Sequence, residues 1–239
     1  TAPVIVWYAG NLELANHIGL AVTGSRSLTE DEEAYASRLG HECARQQITL
    51  ISGYANGADQ LAMFSALAED GNVVGILSQG LLGVVGQARV RKPLQNGQLL
   101  LLSPYHPSAE FQATQALARN RLIYGMGKWA AAISSQEGTG GTWRGALECM
   151  VQKRPPLFVR SDQPISDGNA ALLAMGALEL DAESIGYGVK LSEHLDHLSD
   201  NYHPSDKAAQ RLAEIGSSPD DFEALRRQPK GSSKPQPKT

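Results

Sequence analysis

The stretch Ile18-Gly19-Leu20-Ala21-Val22-Thr23-Gly24 sets the fold reading. It is an uninterrupted apolar run that ends on a glycine turn. A short run of this kind reads as a strand covered on both faces, as parallel strands are. Ser25-Arg26-Ser27 follow, and Thr29 then stands before Glu30-Asp31-Glu32-Glu33. Thr29 is expected to cap a helix with Glu32 as its capping-box partner. The acidic first turn suits the positive end of that helix, which should run to about residue 46.

The same alternation continues along the chain. Ile48–Ser52, Val73–Leu77, Leu99–Ser103, Trp129–Ser134 and Pro155–Val159 read as further strands. Helical spacing covers roughly 58–69, 111–126 and the residues up to 152, by the period of their apolar positions. Strands that alternate with helices in this way predict an α/β fold. The expected form is Rossmann-like and doubly wound, a mostly parallel sheet with helices on both faces. The strand pattern stops after Val159, and a last helix is expected over Ser205–Ile215. The organisation read from the chain is a Rossmann-like domain over 1–200, a helical extension over 201–225 and a basic disordered tail over 226–239.

A chain of 239 residues is long enough for one such domain. The net charge is −4 and the pI about 5.9, so any affinity for nucleic acid must come from local charge. Arg89, Arg91, Lys92, Arg119, Arg121, Lys128 and Arg144 gather in the middle of the sequence. No apolar run reaches the length of a membrane span. The opening TAPVIVWYAGN does not have the form of a secretory signal. Cys43 and Cys149 lack disulfide or metal spacing and read as small buried hydrophobes of a cytoplasmic protein.

Three glycine or small-residue turns stand at strand ends: Gly24-Ser25-Arg26, Ser52-Gly53-Tyr54-Ala55-Asn56-Gly57, and Glu137-Gly138-Thr139-Gly140-Gly141-Thr142. Backbone amides approach a phosphate closely where no Cβ intervenes, and a helix N-terminus adds unpaired donors. Together the turns point to an anionic ligand at the carboxyl ends of the strands. Arg26 suits a bidentate phosphate clamp, or else pairs with Asp59. Ser25 and Ser52 offer hydroxyls to the same ligand, or cap helices. In Ala118-Arg119-Asn120-Arg121 the two arginines cannot face the same way, so one reaches the ligand and the other supports the fold. No cofactor is expected. There is neither a GxGxxG element nor a Walker loop, and the histidines lack a third ligand for a metal.

These residues resemble the DNA-processing protein A (DprA, also Smf) family. Trp7-Tyr8-Ala9-Gly10-Asn11, Val22-Thr23-Gly24-Ser25-Arg26, Ser52-Gly53-Tyr54-Ala55-Asn56-Gly57-Ala58-Asp59 and Ala118-Arg119-Asn120-Arg121-Leu122-Ile123 follow its motifs in order, over about residues 3–180. A late echo runs from Gly168 to Ala177. The resemblance implies a dimer that binds single-stranded DNA and works with a RecA-type recombinase. It implies DNA phosphate contacts from Gly24, Ser25, Arg26, Ser52, Gly53 and Gly57, and the loop reading adds Asn56 and the turn Gly140, Gly141 and Thr142 to the expected binding residues. Arg119 and Arg121 would line or support the pocket, and Lys92 and Lys128 would extend a basic track. In a single-strand binder an aromatic such as Tyr54, Tyr124 or Trp143 would stack a base, although each reads first as a core residue. Ser103-Pro104 and Gly138–Arg144 depart from the family pattern, and a divergent member without the winged-helix domain is expected.

Two other functions suit part of the pattern. Gly140-Gly141-Thr142 with Glu148 resembles the motif of LOG-type phosphoribohydrolases, which cleave nucleoside monophosphates, and a nucleotide sensor would use the same turns. A scaffold whose basic tail binds a partner is the third reading.

Overall fold

The computed structural model describes residues 3–153, 155–186 and 188–215. The tail expected over 226–239, and much of the extension expected over 201–225, lie outside the described residues. The strands are β1 (Trp7–Gly10), β2 (Gly19–Thr23), β3 (Thr49–Ser52), β4 (Val73–Ile76), β5 (Leu99–Ser103), β6 (Trp129–Ala132), β7 (Leu157–Val159) and β8 (Leu178–Glu179). The helices are α1 (Glu30–Arg45), α2 (Ala58–Ala68), α3 (Leu82–Val85), α4 (Ala88–Gln95), α5 (Ala113–Met126), α6 (Gly140–Gln152), α7 (Asp167–Ala174), α8 (Leu191–Ser199) and α9 (Lys207–Ile215).

One sheet runs in the order β1-β5-β4-β3-β2-β6-β7-β8. All neighbours are parallel except β1, which pairs antiparallel with β5, Trp7 opposite Ser103 and Gly10 opposite Leu100. The six strands read from sequence are all present, and two more extend the sheet at its edges. β8 corrects the expectation that the sheet ends at Val159, since Phe158 pairs with Leu178. Two residues are too few to show a period. β1 is the other addition: it lies in the apolar run Val4–Ala9, which is not among the strands read from sequence, and its Trp7 and Tyr8 are exposed at the sheet edge.

Strands β2 to β7 are buried on both faces, successive side chains pointing opposite ways into two layers. Leu20, Val22, Leu50, Leu99 and Leu101 join α1 and α2 in one core. Ala21, Ile51, Val74, Leu100 and Leu102 join α5 and α6 in the other. Leu-rich β5 therefore serves both layers. The capping box at Thr29 forms as expected, with Glu32 N donating to Thr29 Oγ1 at 3.3 Å and Thr29 N to Glu32 Oε2 at 2.9 Å.

The chain places β3, β4 and β5 on one side of β2, then crosses to lay β6 on the other. Helices leave β2 and β6 toward opposite faces, which opens a crevice above their carboxyl ends.

Candidate functional site

A cleft of about 290 Å³ occupies that crevice. Its floor and walls come from four segments: Thr23–Arg26 after β2, Ala55 and Asp59 after β3, Ala116–Asn120 of α5, and Ser135–Thr142 after β6. The three turns read from sequence thus meet at one rim.

The first turn is packed tightly. Ser25 N donates to Ser134 O at 2.9 Å, and Ala58 N to Ser25 O at 3.1 Å, which ties β2, β6 and α2 together. A Cβ at Gly24 would overlap that of Ala58. Gly57 has φ +85°, and a Cβ there would meet Ser25 O at 2.5 Å. These two glycines therefore let protein backbone approach protein backbone, a reason separate from any ligand. Ser25 Oγ accepts from Ser27 N at 3.2 Å. Arg26 lines the cleft, its guanidinium 5.5 Å from the centre of the Phe111 ring.

Arg119 is the buried cation of the site, 3% exposed. Its Nη1 donates to Ile76 O at 2.6 Å, and its Nε has no partner. A Cβ at Gly53 would overlap the guanidinium, so the glycine makes room for the arginine. Asp59 faces the same spot. Its Oδ2 accepts from Gly53 N at 3.1 Å and Ala55 N at 3.3 Å. Burial pushes the Asp59 carboxyl up, and Arg119, the two amides and Arg26 oppose that. Burial pulls Arg119 down to about 10, against the pull of Asp59, so it stays charged near neutral pH.

The third turn is open. Gly140 has φ +84° with nothing within 4 Å of its Cβ position, and Gly141 meets only the ends of Leu117 and Asn120. Thr139 caps α6 without a side-chain bond, leaving the first-turn amides of α6 without that partner. Asn120 Nδ2 donates to Gly141 O at 3.0 Å and holds the turn against α5.

The structure divides the residues singled out from sequence. Gly24, Ser25, Arg26, Arg119, Gly140, Gly141 and Thr142 line the cleft. Ser52, Gly53, Asn56, Gly57 and Arg121 do not. Ser52 Oγ donates to Val22 O at 2.6 Å inside the sheet. Asn56 is exposed beside the cleft. Arg121 points away and pairs with Glu148 at 2.8 Å. Glu148, held also by Arg144 at 3.3 Å, is likewise off the cleft. Lys128 sits before β6, at the opposite end of the strand, paired with Asp196 at 2.8 Å. Tyr54, Tyr124 and Trp143 are all buried and belong to the core, which leaves none of them as a stacking platform. Phe111, not itself a lining residue, is an exposed aromatic that lies against Arg26. Sequence reasoning missed Asn120 as a site residue and the lining residues Ser135 and Gln136, and named Thr139 only as part of the third turn. The Asn120 signal was its place between two arginines.

Among the described residues no helix is long and apolar enough to cross a membrane, and no three His, Cys, Asp or Glu side chains group as a metal site.

Comparison with known proteins places this geometry. DNA processing protein DprA of Streptococcus pneumoniae is 30% identical over 128 residues, covering 52% of this chain and 44% of that protein. The chain spans about half the length of the curated relatives it matches. The X-ray structure of the S. pneumoniae protein superposes with a TM-score of 0.65 at 25% identity, over 75% of this chain and 64% of the other. DNA processing protein A of Helicobacter pylori, whose structure concerns its single-stranded DNA binding mode, gives a TM-score of 0.68 at 23% identity, over 85% and 90%. The sequence model of one family, DNA recombination-mediator protein A, matches residues 1–186, and with the crevice, the turns and the buried arginine in place the chain belongs to that family.

Proposed function

We propose that the cleft holds the phosphate backbone of single-stranded DNA and that the chain is a non-catalytic binder. The observation that carries this is the meeting of Arg26, Arg119 and the open Gly140–Gly141 turn at the sheet's switch point. Two cations and the α6 N-terminus supply the charge and the directed donors that a phosphate needs. Phe111, half-exposed against Arg26, offers a face on which a base stacks. Family membership and the DNA-binding relative of H. pylori support the same reading. On that ground the proposal extends to a RecA-type recombinase as partner, to a homodimer and to a cytoplasmic setting.

The phosphoribohydrolase reading loses its acid. Glu148 is engaged by Arg121 and Arg144 away from the cleft, and the carboxylate that does line the cleft, Asp59, is buried and bound by two amides.

Titration of a fluorescent oligothymidine at two salt concentrations tests the proposal. Affinity is expected to fall as salt rises. Arg26→Ala is expected to weaken binding by about tenfold, the loss of one charge-assisted hydrogen bond. Phe111→Ala is expected to weaken it by at least about fivefold through lost stacking. No binding at low salt overturns the reading. A thermal shift with nucleoside monophosphates in its place would make a free nucleotide the ligand.

A further inference from the structure

The family-matched segment ends at residue 186, yet α9, beyond it, holds the open turn of the cleft. Arg211 Nη2 donates to Glu137 Oε1 at 2.7 Å, while its Nη1 donates to Glu214 Oε2 at 3.2 Å. Glu137 stands between Gln136 and Thr139, both of which line the cleft. Its backbone amide donates to Asp167 Oδ1, at the start of α7, at 3.2 Å. Gly138 and Gly140 follow at positive φ, with nothing within 4 Å of either Cβ position. Glycines contribute no side-chain packing, so these two polar ties, with the Asn120 bond to Gly141 O, help fix where the turn stands.

Charge matters as much as position. From Ser134 to Thr142 the one ionisable side chain is Glu137. A bare carboxylate beside an anion cleft repels the ligand, and Arg211 supplies the opposing charge. Side-chain exposures of 50% and 39% put the pair in solvent, where it adds little to stability and is screened by salt. The helix itself is docked by other means. Ala208 is buried, and Leu212 and Ile215 pack on the α5–α6 core. Removing the Arg211 charge therefore leaves α9 in place.

We infer that α9 is a charge-balancing strut for the cleft: Arg211 neutralises Glu137 and positions the Gln136–Thr139 turn, so ligand affinity depends on a helix beyond the family-matched segment. The inference rests on the phosphate-binding reading above. Arg211 is a positioning residue and touches no ligand.

The experiment uses the full chain as wild type, Arg211→Gln, Glu137→Gln and the double variant. Each is titrated with fluorescent oligothymidine at low salt, and amide hydrogen exchange over residues 136–142 is followed without DNA. Arg211→Gln is expected to weaken binding about two- to fivefold, the scale of one exposed pair, and to speed exchange in the turn. Glu137→Gln is expected to bind at least as tightly as wild type. The double variant should recover most of the affinity lost in Arg211→Gln, because a neutral turn needs no counter-charge, while its turn exchanges faster than that of wild type. Unchanged binding in Arg211→Gln, a double variant as weak as Arg211→Gln, or a weakened Glu137→Gln overturns the inference. Should the wild type fail to bind oligothymidine, the DNA reading falls alone. Exchange then decides the strut: faster exchange in Arg211→Gln supports it, and unchanged exchange overturns it.

Discussion

Gly53 and Asp59 show how closely the site is built around one guanidinium. Arg119 fills the space that a Cβ at position 53 would take, so Gly53→Ala must displace a buried, hydrogen-bonded cation. The expected cost is about 1–3 kcal/mol, as for other overpacked cores, read as a lower urea midpoint at unchanged slope. Asp59 makes a prediction with a sign. Burial lifts its folded pKa above the unfolded value, so the native state holds the proton more tightly. Its contribution to stability is full below the unfolded value and is lost as pH rises through the raised one. The stability of wild type minus that of Asp59→Asn should therefore shrink as pH rises above the ordinary aspartate range, about pH 4. Urea unfolding of both proteins from there upward checks it. A difference that stays flat or widens contradicts the assignment of burial as the leading cause.

At the scale of elements, α1 tests whether the first turn of the cleft depends on its helix. Thr29 and Glu32 cap one another three residues after Arg26. Thr29→Ala removes one side of the box, and a loss of about 1 kcal/mol is expected from chemical denaturation. The first turn is also held by Ser25 N to Ser134 O and by Ala58 N to Ser25 O, neither of which involves α1. Oligothymidine affinity should therefore change less than twofold, well below the effect of Arg26→Ala. A large fall would mean that the helix cap, not the packed turn, positions Arg26. The capping box, like the apolar runs of β2 and β5, is a local pattern and was legible in the chain. β8 was not, because two residues carry no period, and β1, although it lies in the apolar run Val4–Ala9, pairs antiparallel at the sheet edge outside the alternation of strand and helix.

Over the whole molecule, the two cysteines report on opposite layers. Cys43 of α1 and Cys149 of α6 belong to the cores on either face of the sheet. Burial pushes each thiol up to about 12, so neither presents a thiolate in the folded protein. Labelling with a thiol reagent should be negligible in the native state. In denaturant both cysteines should become reactive over the same range, because one sheet serves both cores. Labelling of one layer well before the other would show that the two sides of the sheet unfold separately.

The alternation of strand and helix, the capped start of α1 and the three glycine turns follow from neighbours a few residues apart, and the sequence by itself determined them. Only the tertiary structure decided which of those residues face one another. It turned Arg119 inward and Arg121 toward Glu148, drew the Ser52 hydroxyl to Val22, buried Tyr54, Tyr124 and Trp143 while leaving Phe111 exposed against Arg26, and brought Arg211 to Glu137 across 74 positions of chain. The reason is physical. Backbone preferences and side-chain period act over one or two turns of chain, whereas the direction of a side chain is settled by packing against segments that the period does not identify.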